Sequence, residues 1–305
     1  MKNLAKKVWR RVRLMGPIRH AQPALGWGFF KLHRRIAPES LNIDIDTRMG
    51  LGALIAYALR VYAYADAEGL EANVASSSPL YSEVKNRDFF QDFFERPTHS
   101  DGNFVTGLAR KWLLHFGISQ DISIEIASSI YNRKFIPNDY LLSKLRPEIN
   151  KCSEYDVAIH YRGTDKFIES GVIPFDSMME QMAEVLPEDG RTREVFLATD
   201  DAQFSEIVRQ EFKHVNFYSY DLGDVPNGTP RHFSDLSGSD KALEALVNAH
   251  LIARAKICIR TSSYLSALSI IINPQLVTRT INWTLTDDLP FPERQIFSQE
   301  RERAA

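Results

Sequence analysis

The spacing of apolar and polar positions changes along the chain in a way that marks out strands alternating with helices. Leu41-Asn42-Ile43-Asp44-Ile45-Asp46 alternates apolar and polar residues, the period-two pattern of a strand with one buried face. Met49-Gly50-Leu51-Gly52 follows, and then an alanine-, leucine- and tyrosine-rich run from Ala53 to Glu68 that predicts a helix stopped at Gly69. Glu71 to Ala75 predicts the next strand, so this stretch opens as a βαβ unit. Residues 84–135 read as helices and loops, with Phe89, Phe90, Phe93, Phe94, Trp112 and Phe116 as core aromatics. Asn132 to Asn150 reads as a linker, in which Pro137-Asn138-Asp139 starts a helix through Leu141, Leu142 and Leu145.

A second alternating run occupies the C-terminal half. It predicts strands at Val157–Ile159, Glu194–Ala198, Val215–Tyr218 and Lys256–Ile259. Helices are predicted at Phe175–Leu186, Phe204–Phe212, Lys241–Ala255 and Tyr264–Ile272. Strands alternating with helices predict a parallel sheet, and ligands of such sheets sit at the carboxyl ends of the strands. Three polar clusters fall at those ends: His160 to Lys166, Thr199-Asp200-Asp201, and Arg260-Thr261-Ser262-Ser263.

Composition narrows the class. The chain has 305 residues, 44% hydrophobic and 25% charged, enough for two ordinary domains with a real core. A formal net charge of −2 argues against a general nucleic-acid binder. The two cysteines, Cys152 and Cys258, form no metal-ligand pattern and read as buried free thiols, in keeping with a reducing compartment. No apolar run approaches the roughly 20 residues that span a bilayer, and no secretion signal is legible, so the expected location is the cytoplasm. Residues 1–38 are different: they hold ten Lys or Arg and no acidic residue. At helical spacing Leu4, Val8, Val12 and Met15 share one face, so residues 1–20 form either a peripheral contact with an anionic membrane, a solvated basic tail, or a helix docked on the protein itself.

The clusters suggest anion chemistry. Arg162 can clamp a pyrophosphate with two parallel charge-assisted hydrogen bonds, or else pair with Asp165 or Asp200. Ser262 and Ser263 stand where a helix begins; they either contribute to an anion site or simply cap that helix. His160, two residues before Arg162, points to the same side if the stretch is extended, and either contacts a nucleotide or satisfies loop carbonyls. Asp165 reads as a residue that shapes its loop. Gly50 and Gly52 either let the backbone approach a ligand or form a tight turn. Asp200 and Asp201 lack further carboxylates for a metal, and one of them reads as the cap of the helix at Phe204, so no metal site is expected.

These residues resemble the nucleotide-sugar-binding half of the α-1,6-fucosyltransferases, including the bacterial nodulation fucosyltransferases, over about residues 138–275. The three motifs stand here as Ile159-His160-Tyr161-Arg162-Gly163-Thr164-Asp165-Lys166, as Ala198-Thr199-Asp200-Asp201, and as the helix Leu243–Ala255 with the strand Ile257–Ile259 and the Ser262-Ser263 turn. Gly163 stands where the family has a second arginine. The resemblance implies an α/β, GT-B-like fold: two Rossmann-like lobes whose parallel sheets face a cleft. It implies an inverting, metal-independent transfer of fucose from GDP-fucose to a glycan or lipid-linked acceptor, without a cofactor. Arg162 would hold the β-phosphate and the serine turn the phosphates. His160 would contact guanine, with Glu244 and Asn248 as candidate readers of its N–H groups. Lys166 would add charge stabilisation and Glu169 would take the acceptor's proton. Use of another nucleotide-sugar, or nucleotide-sugar binding without catalysis, are the rival readings. The implied organisation is a basic tail (1–38), an acceptor-side lobe (39–137), a nucleotide-sugar lobe (138–285) and a C-terminal tail (286–305) that packs back or frays.

Overall fold

The computed structural model describes residues 40–84, 87–96, 122–163, 174–223, 234–281 and 289–304. The basic segment 1–38, Trp112, Phe116 and the loop residues Asp165, Lys166 and Glu169 lie outside the described residues.

The chain begins as the alternation predicts. Strand β1 (Ser40–Asp44) leads into helix α1 (Leu51–Glu68) and strand β2 (Glu71–Ala75), and the two strands pair in parallel with Ile43 opposite Val74. Gly69 ends α1 in the left-handed conformation at φ 65°, a backbone state that costs glycine nothing. A 3₁₀ turn (Phe89–Asp92) and helix α2 (Ile124–Lys134) complete this part, with Phe89, Phe90, Phe93 and Phe94 all buried.

Helix α3 (Asp139–Lys151) starts at Asn138, whose Oδ1 accepts the Leu141 N–H at 3.0 Å. Then come β3 (Tyr155–Tyr161), α4 (Phe175–Val185), β4 (Arg193–Thr199), α5 (Ala202–Glu211) and β5 (Val215–Tyr218). Helix α6 (Gly238–Ile252), β6 (Ala255–Arg260), α7 (Tyr264–Ile272), β7 (Val277–Thr280) and α8 (Glu293–Ala304) finish the chain. The five strands form one parallel sheet in the order β5-β4-β3-β6-β7. The chain moves outward from β3 in one direction and then returns to place β6 on the other side of β3. Between β3 and β6 the order therefore reverses, and a crevice opens there at the strands' carboxyl ends.

The sheet buries both faces. Val157, Ile159, Tyr161, Val195, Leu197 and Ile259 pack with Met178, Met182, Phe204 and Val208 of α4 and α5. On the other face, Tyr155, Ala158, Phe196, Ala198 and Cys258 join a larger core that runs without a break through α6 and α7 into α1, β1 and the phenylalanine cluster. Helix α7 explains the continuity. Its sequence YLSALSIII carries no charge, so no face of it suits water, and it lies between the N-terminal elements and the sheet. Each fully buried Leu or Ile side chain there contributes about 1.5–3 kcal/mol.

Several boundaries differ from the sequence reading, and two elements are new. Helix α6 starts at Gly238 rather than Lys241, because Ser237 caps it: the Ser237 Oγ accepts the Asp240 N–H at 3.0 Å and donates to the Asp240 carboxylate at 2.8 Å. Strand β3 is longer than its apolar centre and carries His160 within it. Strand β7 and helix α8, too polar to register as elements, close the sheet and pack back on the molecule; Ile296 is buried in the main core. Both cysteines are free and buried. Among the described residues no helix is long and apolar enough to cross a membrane.

Candidate functional site

A cavity opens at the reversal of strand order, and three strand ends are stitched together around it. The backbone N–H of Arg162, just past β3, donates to Thr261 Oγ1 just past β6 at 3.0 Å. The Thr261 N–H donates to the His160 carbonyl at 2.9 Å. The Gly163 N–H donates to Asp200 Oδ1, just past β4, at 3.1 Å. These bonds fix where the polar clusters sit before any ligand arrives.

His160 and Arg162 both line the cavity, as their alternation on an extended stretch predicts. Tyr161 between them stacks on Phe204 with ring centroids 4.2 Å apart and also borders the cavity. Burial, reinforced by Asp201 and Asp200, pushes its phenol up to about 12, so it stays neutral. Arg162 also approaches Asp200, at 3.9 Å between Nε and Oδ2. Arg162 lines the cavity while it makes this long pair. Asp201 is the cap foreseen for its helix: its Oδ1 accepts the Phe204 N–H at 2.9 Å.

The N-terminus of α7 forms the facing wall, with Ser263, Tyr264 and Leu265 on the cavity. Ser263 caps its helix through Oγ, which accepts the Leu265 N–H at 3.3 Å. Ser262 is buried and is not one of the lining residues. Arg260 requires a correction. Although it ends β6, its side chain is wholly buried and bonds Glu293, Ser266 and Thr280 rather than lining the cavity.

Helix α6 supplies a polar stripe at positions i, i+3, i+4 and i+7: Lys241, Glu244, Ala245 and Asn248 all line the cavity. Glu244 Oε2 accepts the Leu222 N–H at 2.8 Å. Asn248 is 8% exposed, and its Nδ2 donates to the carbonyls of Tyr220 at 3.1 Å and Glu244 at 3.0 Å. Two acceptors on that side fix the amide's orientation, and Asn248 Oδ1 accepts from no donor among the described residues. A buried acceptor on a cavity wall is suited to a ligand N–H.

Both glycines line the cavity, and they differ in what surrounds them. Gly50 lines the cavity and a Cβ there would meet nothing within 4 Å. At Gly52 a Cβ would lie 2.2 Å from the Tyr264 carbonyl oxygen, so this glycine exists for the contact between α1 and α7. Tyr81, from the loop after β2, seats the start of α1 by accepting the Leu51 N–H at 2.8 Å. Burial pushes its phenol up to about 12 against the opposing pull of the Leu51 N–H and the Arg162 guanidinium. A side chain at Gly163 would come within 2.7 Å of the Tyr161 ring and 2.8 Å of Asp201 Oδ2. That crowding accounts for a glycine where the resembled motif has arginine.

By sequence, no protein-family model and no curated protein matches this chain. By structure, it is similar to a NodZ alpha-1,6-fucosyltransferase crystal soaked with GDP-fucose, with a TM-score of 0.54 and 15% identity over 77% of this chain and 93% of that one. It is also similar to the fucosyltransferase NodZ from Bradyrhizobium, with a TM-score of 0.50 and 15% identity over 77% and 94%. The chain has a fucosyltransferase-like, GT-B-like fold.

Within this fold the sequence-predicted residues His160, Arg162, Asp200, Glu244, Asn248, Ser263, Gly50 and Gly52 share one cavity, while Ser262 is not among its lining residues. Sequence reasoning missed Lys241, Asp221 and Tyr81, which also line it. Lys241 was within reach, being one helical turn before Glu244 on the same face. Tyr81 carried no signal, because it enters from a loop of the other half of the chain. Lys241 makes no ion pair among the described residues, so the stripe offers a cation, a carboxylate and an amide oxygen in succession.

Proposed function

We propose that this protein is an inverting, metal-independent glycosyltransferase that transfers fucose from GDP-fucose to a hydroxyl of a glycan or lipid-linked acceptor. The observation that carries the reading is the meeting of Arg162 and the α7 N-terminus across the reversal point, joined by the bond from Arg162 N–H to Thr261. A diphosphate lying there would meet a guanidinium on one side and a helix N-terminus on the other, both suited to negative charge. The base would lie along α6, where Glu244 and Asn248 Oδ1 suit the N–H groups of guanine and Lys241 suits its carbonyl oxygen. Residues 138–285 are then the donor lobe and 39–137 the acceptor side.

In the proposed reaction the acceptor oxygen attacks the anomeric carbon from the face opposite the phosphate. The bond from that carbon to the phosphate oxygen breaks, and the electron pair leaves with GDP. Arg162, the turn at Ser262-Ser263 and Lys166 stabilise the charge that grows on the diphosphate. Glu169 accepts the hydroxyl proton.

Thermal-shift titration with GDP-, UDP-, ADP- and dTDP-sugars tests the donor. A ligand at 100 times its Kd raises stability by about 2.7 kcal/mol, and the largest shift is expected with GDP-fucose. A larger shift with another base would transfer the reading to that nucleotide-sugar. Binding with neither hydrolysis nor transfer would leave a non-catalytic relative. Full activity after chelation checks the absence of a metal requirement.

A further inference from the structure

The C-terminal helix takes no part in the donor reading, yet it is fastened to the back of the donor cavity. Arg260 has no exposed surface and directs every guanidinium nitrogen at a partner. Its Nε donates to Ser266 Oγ at 2.9 Å, and Nη1 donates to Thr280 Oγ1 at 3.3 Å. Its Nη2 donates both to the Ser263 carbonyl, at 3.2 Å, and to the carboxylate of Glu293. Glu293, itself buried, is the first residue of α8. Two turns further on, the Glu300 carboxylate accepts the Thr280 N–H at 3.2 Å and the Thr280 hydroxyl at 2.8 Å. Helix α8 therefore holds both the guanidinium and the strand beside it.

The other end of this network is the helix mouth. The Ser263 carbonyl accepts from Arg260, from Ser266 Oγ at 3.2 Å and from the Ala267 N–H at 3.0 Å. Three donors fix the orientation of the peptide between Ser263 and Tyr264. Because a trans peptide is planar, its N–H points opposite to its carbonyl. With the carbonyl held towards the buried Arg260, the Tyr264 N–H is turned away from it.

We propose that Glu293 is a positioning residue for the donor site: through Arg260 it clamps the Ser263–Tyr264 peptide, so that the mouth of α7 keeps the geometry that receives a diphosphate. The proposal rests on the donor reading above. A buried pair that served only the core would be replaceable by apolar side chains of similar size without effect on the turn, and this separates the two roles.

The test uses the full chain as wild type, as the Arg260→Met/Glu293→Leu double variant, and as Glu293→Asp. The double variant removes both charges together, so no guanidinium is stranded in the core. Amide hydrogen exchange across 262–266, the Kd for GDP and the thermal midpoint are measured for each. In the double variant, exchange across the turn should quicken at least about tenfold and the GDP Kd should rise about tenfold, in line with the sensitivity of charged sites to small misplacements. Glu293→Asp should fall between it and wild type. Wild-type exchange in a folded double variant overturns the clamp, and so does quickened exchange with an unchanged Kd. Should the double variant not fold, Glu293→Asp is judged by the same two criteria, and loss of the fold in both also overturns the proposal. A wild type that binds no GDP defeats the donor reading alone; the exchange measurement still decides whether α8 orders the turn.

Discussion

Arg162→Ala should separate donor binding from folding. In the fold the side chain makes a long pair with Asp200, 3.9 Å apart, with the arginine 26% exposed and the aspartate 10%. Such a partly solvated pair is worth about 0.5–1 kcal/mol. The loop itself is held by backbone groups: Arg162 N–H on Thr261 and Gly163 N–H on Asp200 both survive the substitution. Loss of that pair should lower the thermal midpoint by about 2–3 °C. Binding should suffer far more. Two charge-assisted hydrogen bonds to a phosphate at about 1.5–3 kcal/mol each give a loss of about 3–6 kcal/mol. That corresponds to a rise of about 10²–10⁴-fold in the GDP Kd, with transfer or donor hydrolysis reduced at least as much. Arg162→Lys keeps the charge but not the planar fork, and should recover only about tenfold. Calorimetric titration with GDP, a thermal melt and an assay of GDP released from GDP-fucose read the three quantities. A GDP Kd within about threefold of wild type in Arg162→Ala, at an intact thermal midpoint, would refute the cradle.

Gly52→Ala places a Cβ 2.2 Å from the Tyr264 carbonyl, backbone against backbone, and should destabilise by about 2 kcal/mol or more, whereas Gly50→Ala, in open space, should stay within about 0.5 kcal/mol; equal urea midpoints for the two variants would contradict this. Glu244→Gln should raise the GDP Kd about tenfold while sparing inorganic pyrophosphate, since one carboxylate–base bond is lost and the phosphate grip is untouched; equal weakening of both would remove Glu244 from base recognition. His250 bonds Tyr131 and is largely enclosed, and burial lowers its pKa to about 4 from 6.5. The unfolded chain then binds more protons between those values, so the stability it contributes is present above pH 6.5 and is lost as pH falls towards 4, by at most about 3 kcal/mol. His250→Gln should flatten that part of the urea-midpoint profile, and an unchanged slope would discount His250.

The sequence by itself determined the order of most elements and the places where they end in polar residues. That information is local: a period of two or 3.6, an Asn138 or Asp201 cap, a Gly69 stop. It was enough to put His160, Arg162, Asp200 and Ser263 at strand ends, because a parallel sheet brings those ends to one edge. The family resemblance, not the local pattern, added Glu244 and Asn248, four residues apart on one helix. Only the tertiary structure decided which of these side chains turn inward. Arg260 and Arg162 stand at the ends of neighbouring strands in the same chemistry, yet one is sealed against Glu293 and the other borders the cavity, because α8, from the far end of the chain, brings the Glu293 carboxylate to Arg260. The same is true of Gly52, whose need for no side chain comes from Tyr264, two hundred residues away in the chain. Tyr81 and α8 reach the site from distant segments, and a one-dimensional pattern carries no record of which segments meet in space.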